Sequence, residues 1–352
     1  MAPFNCPDPV IYLLEQHRSH LLVGSMEAAR ARRVMPSSCR VWTPGALAEG
    51  GRRLSSLEEC CAALLRRLSV RAVKVGGDFP LAMARRLEED GCRLTVVSGG
   101  LFPGRAVKRP EELQRLRQCQ CVAARAMDRA VRAVRNARVD QRGRLCDDRG
   151  LLTSERLRRL IQEALLAYGC EGPGTIAAGG RQAADPHEMG HGPLRAGQGI
   201  VLDIFPHHLE HGYWGDLSRT VVKGRPAPEL RRMYRAVRAA QRLALEHIRA
   251  GVSARGIYRM VLDYFTAAGF PTSMETGRVE GFIHSVGHGL GLDVHEAPRV
   301  GRSGERLRAG QVITVEPGLY YRATGGVRVE DVVVVTPTGC DIIYPARHVF
   351  QV

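Results

Sequence analysis

Four acidic residues occupy matched places in this 352-residue chain. The pentapeptide LRAGQ occurs at 194–198 and again at 307–311, each time followed by an apolar run of β type. Nine residues beyond each leucine lies an acid, Asp203 in the first copy and Glu316 in the second. A further acid follows thirteen residues after Asp203, at Asp216, and fourteen after Glu316, at Glu330. Their contexts, GIVLDIF, WGDLSRT, VITVEPG and VRVEDVVVV, are rich in β-branched residues, as strands with a buried face are. A buried carboxylate costs several kcal/mol without a partner. Four of them converging would repel one another and shift toward the protonated form. Divalent cations remove that conflict, and the local sequence offers few Lys or Arg to do so instead. Two equivalent halves that each supply two carboxylates therefore point to a metal centre.

A neutral ligand is expected from HSVGHGLGLDVHEAP, residues 284–298, which holds His284, His288 and His295. The glycines at 287, 289 and 291 argue against a helix and suit close backbone packing around a site. His187 is a fourth candidate. Two other motifs compete. G-x-G-x-G at 287–291 lacks the following helix that a phosphate loop requires. HEMGH at 187–191 matches the zinc-peptidase pattern H-E-x-x-H, which works only where both histidines share one face of a continuous helix. Here Asp185-Pro186, Gly190, Gly192 and Pro193 interrupt any helix within a turn.

The elements that must position these residues repeat as well. The first half reads as a helix over 110–136, a second over 153–168, then strands from 173 to 223. The second half reads as a helix over 227–250, a second over 253–268, then strands from 282 to 336. Each second helix has a serine N-cap candidate, Ser154 or Ser253, and ends in a glycine, Gly169 or Gly269. Pro110 followed by two acids is a strong helix start. Residues 1 to about 107 read as a smaller α/β unit, with apolar runs at 10–14, 20–24, 39–43, 72–76 and 94–97 and helical stretches at 54–69 and 80–91. The turn-rich SGGLFPGRAVKRPEE places the junction near residue 107.

Composition is ordinary for a soluble globular protein, at 44% hydrophobic and 25% charged residues. No apolar run is long enough for a membrane span, and the first residues show no secretory signal, so a cytoplasmic protein is expected. Ten cysteines scattered along such a chain read as reduced thiols. Net charge is +15, nearly all of it Arg, with Lys only at 74, 108 and 223. Because Arg is dispersed among acids, it reads as a solvated surface, and no specific nucleic-acid partner is expected.

The motifs now in hand resemble those of the "pita-bread" metallopeptidases, the family of methionine aminopeptidases, Xaa-Pro aminopeptidases and Xaa-Pro dipeptidases (prolidases). The likeness runs over essentially the whole chain. It implies an α/β (α+β) fold: a duplicated pita-bread catalytic domain with pseudo-twofold symmetry over 108–352, preceded by a smaller α/β, creatinase-like N-terminal domain over 1–107. The extra domain points to the Xaa-Pro branch. The family's ligands, Asp, Asp, His, Glu, Glu, fall here on Asp203, Asp216, His288, Glu316 and Glu330. By the same likeness Asp203 chelates one of two divalent ions, Asp216 and Glu330 bridge the pair, and His288 and Glu316 complete the ligand set of the second ion. His187, His284 and His295 match the family's non-ligand histidines, and Arg328 an arginine that helps hold substrate. The interval from Asp203 to Asp216 is slightly longer than in the best-known members and that from His187 to Asp203 slightly shorter, which leaves His187 and His191 as alternatives.

The expected reaction is hydrolysis of an Xaa-Pro bond, in dipeptides or at peptide N-termini, by a hydroxide bridging two metals. Glu316 would carry its proton to the leaving nitrogen, and His295 would stabilise the oxyanion. His187 and His284 would position the residue after the cut. Carboxylate and imidazole ligands admit Mn, Co, Fe and Zn; the resemblance favours Mn or Co. It also implies a homodimer. The rival readings are a non-catalytic pita-bread protein acting as a protein-binding module and a metal-free, creatinase-like hydrolase, both of which predict missing ligands.

Overall fold

The computed structural model describes residue 4 and residues 6–48, 53–275 and 277–352. Their contacts divide the chain into two compact units, Met1–Pro103 and Gly104–Val352. No helix among the described residues is long and apolar enough to cross a membrane. All ten cysteines are free thiols.

In the first unit, Ile11–Leu14 runs antiparallel to Ser19–Leu22, which runs parallel to Cys39–Trp42. Ala72–Val75 and Arg93–Val96 form a second, parallel pair. Helix Leu57–Arg67 starts where Ser56 Oγ accepts from the Glu59 amide at 3.2 Å, and Leu81–Glu89 packs beside it through Leu65, Met83 and Leu87. The short helix Ala28–Val34 was not legible in the sequence. Its apolar face is little more than Ala28 and Ala31, too small a stripe to stand out among arginines.

The second unit is built twice. Its first half carries α1 (Pro110–Asn136) and α2 (Ser154–Leu166), then strands β1 (Ile176–Gly179), β2 (Ile200–Ile204) and β3 (Leu217–Val221), in the sheet order β1-β2-β3. Its second half carries α3 (Pro228–His247) and α4 (Ala254–Ala267), then β4 (Gly287–Gly289), β5 (Glu296–Val300), β6 (Val312–Val315), β7 (Gly318–Tyr321), β8 (Gly325–Arg328), β9 (Asp331–Val335) and β10 (Cys340–Ile342). The order β5-β4-β6-β9-β10 repeats that of the first half in its middle three strands. One apolar core gathers Met127, Leu157, Ile161, Leu202 and Val221; the other gathers Val237, Val261, Phe265, Ile313 and Val333. Each therefore seals a helix pair onto its sheet.

Local chemistry explains the boundaries. Pro110 opens α1, and the Glu112 carboxylate reaches back to the Arg109 amide at 2.9 Å. Gly169 and Gly269, just past α2 and α4, take φ of 68° and 81°, the left-handed conformation that ends a helix. Ser253 caps α4 as expected, but the cap of α2 is Thr153 rather than Ser154: Thr153 Oγ1 accepts from the Arg156 amide at 3.2 Å. Ser154 is instead the first helical residue, with its hydroxyl buried and unbonded. Adjacent Thr and Ser satisfy the capping pattern equally well, so sequence alone could not separate them. Both LRAGQ copies turn at a left-handed glycine, Gly197 (φ 76°) and Gly310 (φ 84°), and feed β2 and β6.

Gly287 has another purpose. A Cβ there would lie 1.9 Å from the Thr314 carbonyl oxygen, so β4 and β6 approach at glycine distance. We expect Gly287→Ala to lower stability by about 2–3 kcal/mol, because a backbone neighbour cannot rotate away. A denaturation midpoint unchanged from the parent would contradict this.

Candidate metal centre

The four acids reach one place because of strand register. Asp203 lies in β2 opposite Ser218 of β3, while Asp216 immediately precedes β3. In the second half Glu316 follows β6 directly and Glu330 immediately precedes β9. Thus each half offers one acid at the end of its middle strand and one at the start of the next. The histidine breaks the symmetry. Ala178 pairs with Val201, seven residues beyond Leu194. Thr314 lies seven beyond Leu307, and its Oγ1 accepts from the His288 amide at 3.0 Å. His288 therefore stands in the second half where Ala178 stands in the first.

Ligand atoms of Asp216, His288 and Glu330, all buried, lie within 4.8 Å of one another. Asp203 and Glu316 flank this group with partners of their own. Asp203 Oδ2 accepts from Arg328 Nη2 at 2.7 Å and Oδ1 from Ser218 Oγ at 2.5 Å. Glu316 Oε1 lies 3.1 Å from His288 Nε2 and accepts from Thr314 Oγ1 at 3.1 Å. One arginine does serve these carboxylates: Arg328 neutralises Asp203. Its pairing with Asp203, 125 positions away, was not foreseen.

Electrostatics reflects the crowding. Burial, followed by the Asp203 charge, raises the Asp216 carboxyl well above the usual carboxylate range. Burial and the charges of Asp216 and Glu316 do the same to Glu330. Burial alone would lower His288, but its hydrogen bond to Glu316 and the charges of Glu316 and Asp216 outweigh it and bring the imidazole to about 9. Burial opposes ionisation of Glu316 too, yet His288 holds that carboxyl at about 2. Glu330 Oε1 is buried with no hydrogen-bond partner. An orphaned carboxylate oxygen beside a second acid and an imidazole is a donor set that suits a divalent cation.

The other predicted residues surround this cluster. His295 is exposed, with its ring 4.3 Å from that of His288 in an edge-on arrangement. His284 Nε2 lies 2.9 Å from the Tyr320 hydroxyl, and burial depresses the imidazole, with the Arg328 and His187 charges adding to the effect. Burial and the charges of His288, Arg299 and His187 depress His295 as well. His187 and His191 are both exposed in a non-helical loop, which removes the geometry that the H-E-x-x-H reading needs. His187 lies near enough to His284 and His295 for its charge to act on both, whereas His191 approaches Glu188 at 3.8 Å.

Arg328 is buried, and its donors are engaged. Nε donates to Ser218 Oγ at 2.9 Å and Nη1 to the Tyr320 hydroxyl at 2.7 Å and the Pro186 carbonyl at 3.3 Å, besides the bonds from Nη2 to Asp203. Sequence reasoning missed Ser218, Thr314 and Tyr320. Ser218 and Thr314 each lie two positions from one of the predicted acids, Asp216 and Glu316, on the same strand face, which is the signal that could have found them. Tyr320 carried none, because it joins the site through the turn between β6 and β7.

A model of Metallopeptidase family M24 matches residues 114–337. Among characterised and uncharacterised relatives, the chain is 35% identical over 183 residues to an Xaa-Pro dipeptidase of Pyrococcus furiosus, covering 51% of this chain and 50% of that protein. It is 37% identical over 166 residues to the uncharacterized peptidase YqhT of Bacillus subtilis, covering 47% and 44%. The matched stretch spans about half the length of these relatives. In solved structures, an Xaa-Pro dipeptidase from Bacillus anthracis superposes with a TM-score of 0.83 at 22% identity, covering 100% of this chain and 91% of that one. The prolidase from Pyrococcus furiosus gives 0.80 at 22%, covering 99% and 93%. These likenesses establish the mixed α/β pita-bread fold.

Proposed function

Since the chain belongs to metallopeptidase family M24, we propose that it is a dinuclear-metal peptidase that hydrolyses Xaa-Pro bonds, in dipeptides or at peptide N-termini. The observation that carries this reading is the convergence of Asp216, His288 and Glu330, flanked by Asp203 and Glu316, with one buried carboxylate oxygen left unbonded. The proline preference is supported by the names of the relatives, which include Xaa-Pro dipeptidases. We assign residues 1–107 as a creatinase-like N-terminal domain and 108–352 as the catalytic domain. A homodimer is the arrangement that the family likeness favours, and we propose a cytoplasmic location.

Asp203, Asp216, His288, Glu316 and Glu330 would hold two divalent ions, with Mn or Co the first candidates and Zn or Fe chemically allowed. When bound, such ions polarise a carbonyl oxygen and make water acidic enough to react at neutral pH. Glu316, held ionised at neutral pH, is the group that accepts the water's proton and delivers it to the departing nitrogen. A proline nitrogen needs that proton, because a tertiary amide leaves poorly as an anion. His295, exposed beside His288, donates to the developing oxyanion. His284 and His187 orient the residue after the cut. Arg328 holds Asp203 in place through the bond from Nη2, and its buried charge makes the site more favourable to a substrate carboxylate without a direct bond.

Metal analysis combined with hydrolysis of Xaa-Pro dipeptides and Xaa-Pro-Xaa tripeptides tests this reading. About two ions per chain and cleavage of one or both substrates are expected. Fewer than one ion under saturating Mn or Co, with no cleavage of either, would sink it. Metal should also stabilise the fold: ions at a hundredfold excess over Kd add about 2.7 kcal/mol. The thermal midpoint should therefore rise with added Mn and fall on chelation; a midpoint indifferent to both would contradict a folded-state site.

A further inference from the structure

Lys108 is one of three lysines in the chain, and its side chain is only 2% exposed. Its ammonium donates to the Arg105 carbonyl at 2.8 Å and pairs with the Glu296 carboxylate. Arg105 Nη2 reaches the other Glu296 oxygen at 2.6 Å and Asp293 Oδ2 at 2.8 Å. Glu296, itself 9% exposed, thus takes two cations from a segment nearly 190 positions earlier in the chain. None of these four residues has a role in the chemistry proposed above, and a solvated basic surface does not account for them.

Their placement does. Glu296 directly follows His295 and pairs with Gly289 across a register shift, where β4 and β5 part around the loop 290–295. The far side of that loop is held by Trp214, whose amide donates to the Gly291 carbonyl at 2.9 Å and whose indole donates to the Leu292 carbonyl at 3.2 Å. Glu296 and Asp293, both reached by Arg105, anchor the His295 end from the opposite side. The cation segment is itself fixed: the Lys108 amide donates to the Gly310 carbonyl at 2.8 Å, and Val107 bridges to Gln311. Gly310 and Gln311 are the second LRAGQ turn, which leads through β6 to Glu316.

We propose that Arg105 and Lys108 are positioning residues, a two-cation clamp on Glu296 that sets His295 over the metal centre and ties its loop to the turn feeding the Glu316 strand. The catalytic part of this proposal rests on the peptidase reading; the mechanical part, a fixed loop, does not. Charge-assisted bonds to a nearly buried carboxylate hold geometry better than exposed pairs do, because water competes less for them.

The test uses the full-length protein carrying Lys108→Met, Arg105→Ala or Glu296→Gln, each alone and in a His295→Ala background. Two quantities are read: hydrogen exchange at amides 290–297, and kcat and KM on an Xaa-Pro dipeptide. Exchange in that segment should accelerate at least tenfold while the core of the first half is unchanged, and kcat should fall about 10- to 100-fold with a smaller change in KM. In the His295→Ala background the same substitutions should cost less than threefold, because a residue that acts through His295 has nothing left to position. Equal losses in both backgrounds, or unchanged exchange at 290–297, overturn the clamp. If the parent cleaves no peptide but exchange still accelerates, the peptidase reading fails and the mechanical clamp stands. Should Lys108→Met not fold, Arg105→Ala removes one cation from the half-exposed side and keeps the question open to the same readouts.

Discussion

Glu316→Gln lowers kcat on an Xaa-Pro dipeptide by about a thousandfold, within the range set by loss of a general base, while the protein stays folded. Gln has the shape of Glu and still accepts from Thr314, so the packing around β6 is kept. What disappears is the negative charge that His288 stabilises, and with it the site for a proton in transit. The chain should still fold, because Asp203, Asp216 and Glu330 remain and the mutual repulsion that is relieved offsets part of the lost His288 pair. Far-UV circular dichroism should match the parent, the thermal midpoint should fall because the buried His288 loses its partner, and metal content should be measured on the same sample. A variant that keeps its metals and loses turnover assigns Glu316 to proton transfer. One that keeps more than a tenth of the parental kcat contradicts that role.

The features most legible in the sequence were those set by local pattern and repetition. The span 110–136 read for the first long helix is the span observed, because Pro110, two acids and a sustained apolar stripe leave little freedom. Duplication of LRAGQ pointed by counting alone to Asp203 and Glu316, the two acids that flank the cluster, since a left-handed glycine followed by a strand repeats the same geometry wherever it occurs. Glycines 287 and 289 were read as marks of close packing, and each has a carbonyl oxygen within 2.3 Å of where its Cβ would be. The illegible part is the network that holds the clustered acids and histidines. Arg328 lies 125 positions from Asp203, and Lys108 lies 188 from Glu296. Such pairs depend on how the two halves close on each other, and no periodicity of one strand or helix encodes that. Composition was misleading in one respect: the arginines and lysines that matter here, Arg219, Arg328 and Lys108, are buried, whereas a net charge of +15 suggested a solvated cationic surface.

Arg219→Met costs about 3–5 kcal/mol of stability, the loss expected when one partner of a buried ion pair is removed and the other is left uncompensated. Arg219 and Asp331 are each 2% exposed at the side chain and meet at 2.7 Å. Every guanidinium nitrogen is used: Nε reaches the Arg347 carbonyl, Nη1 the carbonyls of Ser218 and Glu330, and Nη2 Asp331 and the Ala346 carbonyl. Asp331 Oδ2 also accepts from Gln241 at 3.0 Å and lies 3.3 Å from His348 Nε2. One side chain on β3 of the first half thus fastens β9 of the second half and the chain end at 346–347. Burial alone would raise Asp331, yet the His348 contact and the Arg219 charge keep its carboxyl below its ordinary 3.8. A depressed carboxyl stabilises the fold above its unfolded value and loses that contribution as pH falls through the folded one. Burial depresses His348 below 6.5, so acid below that value also works against the fold as the imidazole is forced to charge. These two groups therefore take stability away on acidification, His348 below about 6.5 and Asp331 below about 3.8. Arg219→Met should weaken the second step, because the charge that helped lower Asp331 is gone. Replacing both partners, Arg219→Met with Asp331→Leu, should recover much of the loss, since an apolar pair leaves no stranded charge. Denaturant midpoints for the two single variants and the double variant decide it: a double variant as unstable as the sum of the singles would show that the pair is not acting as a unit.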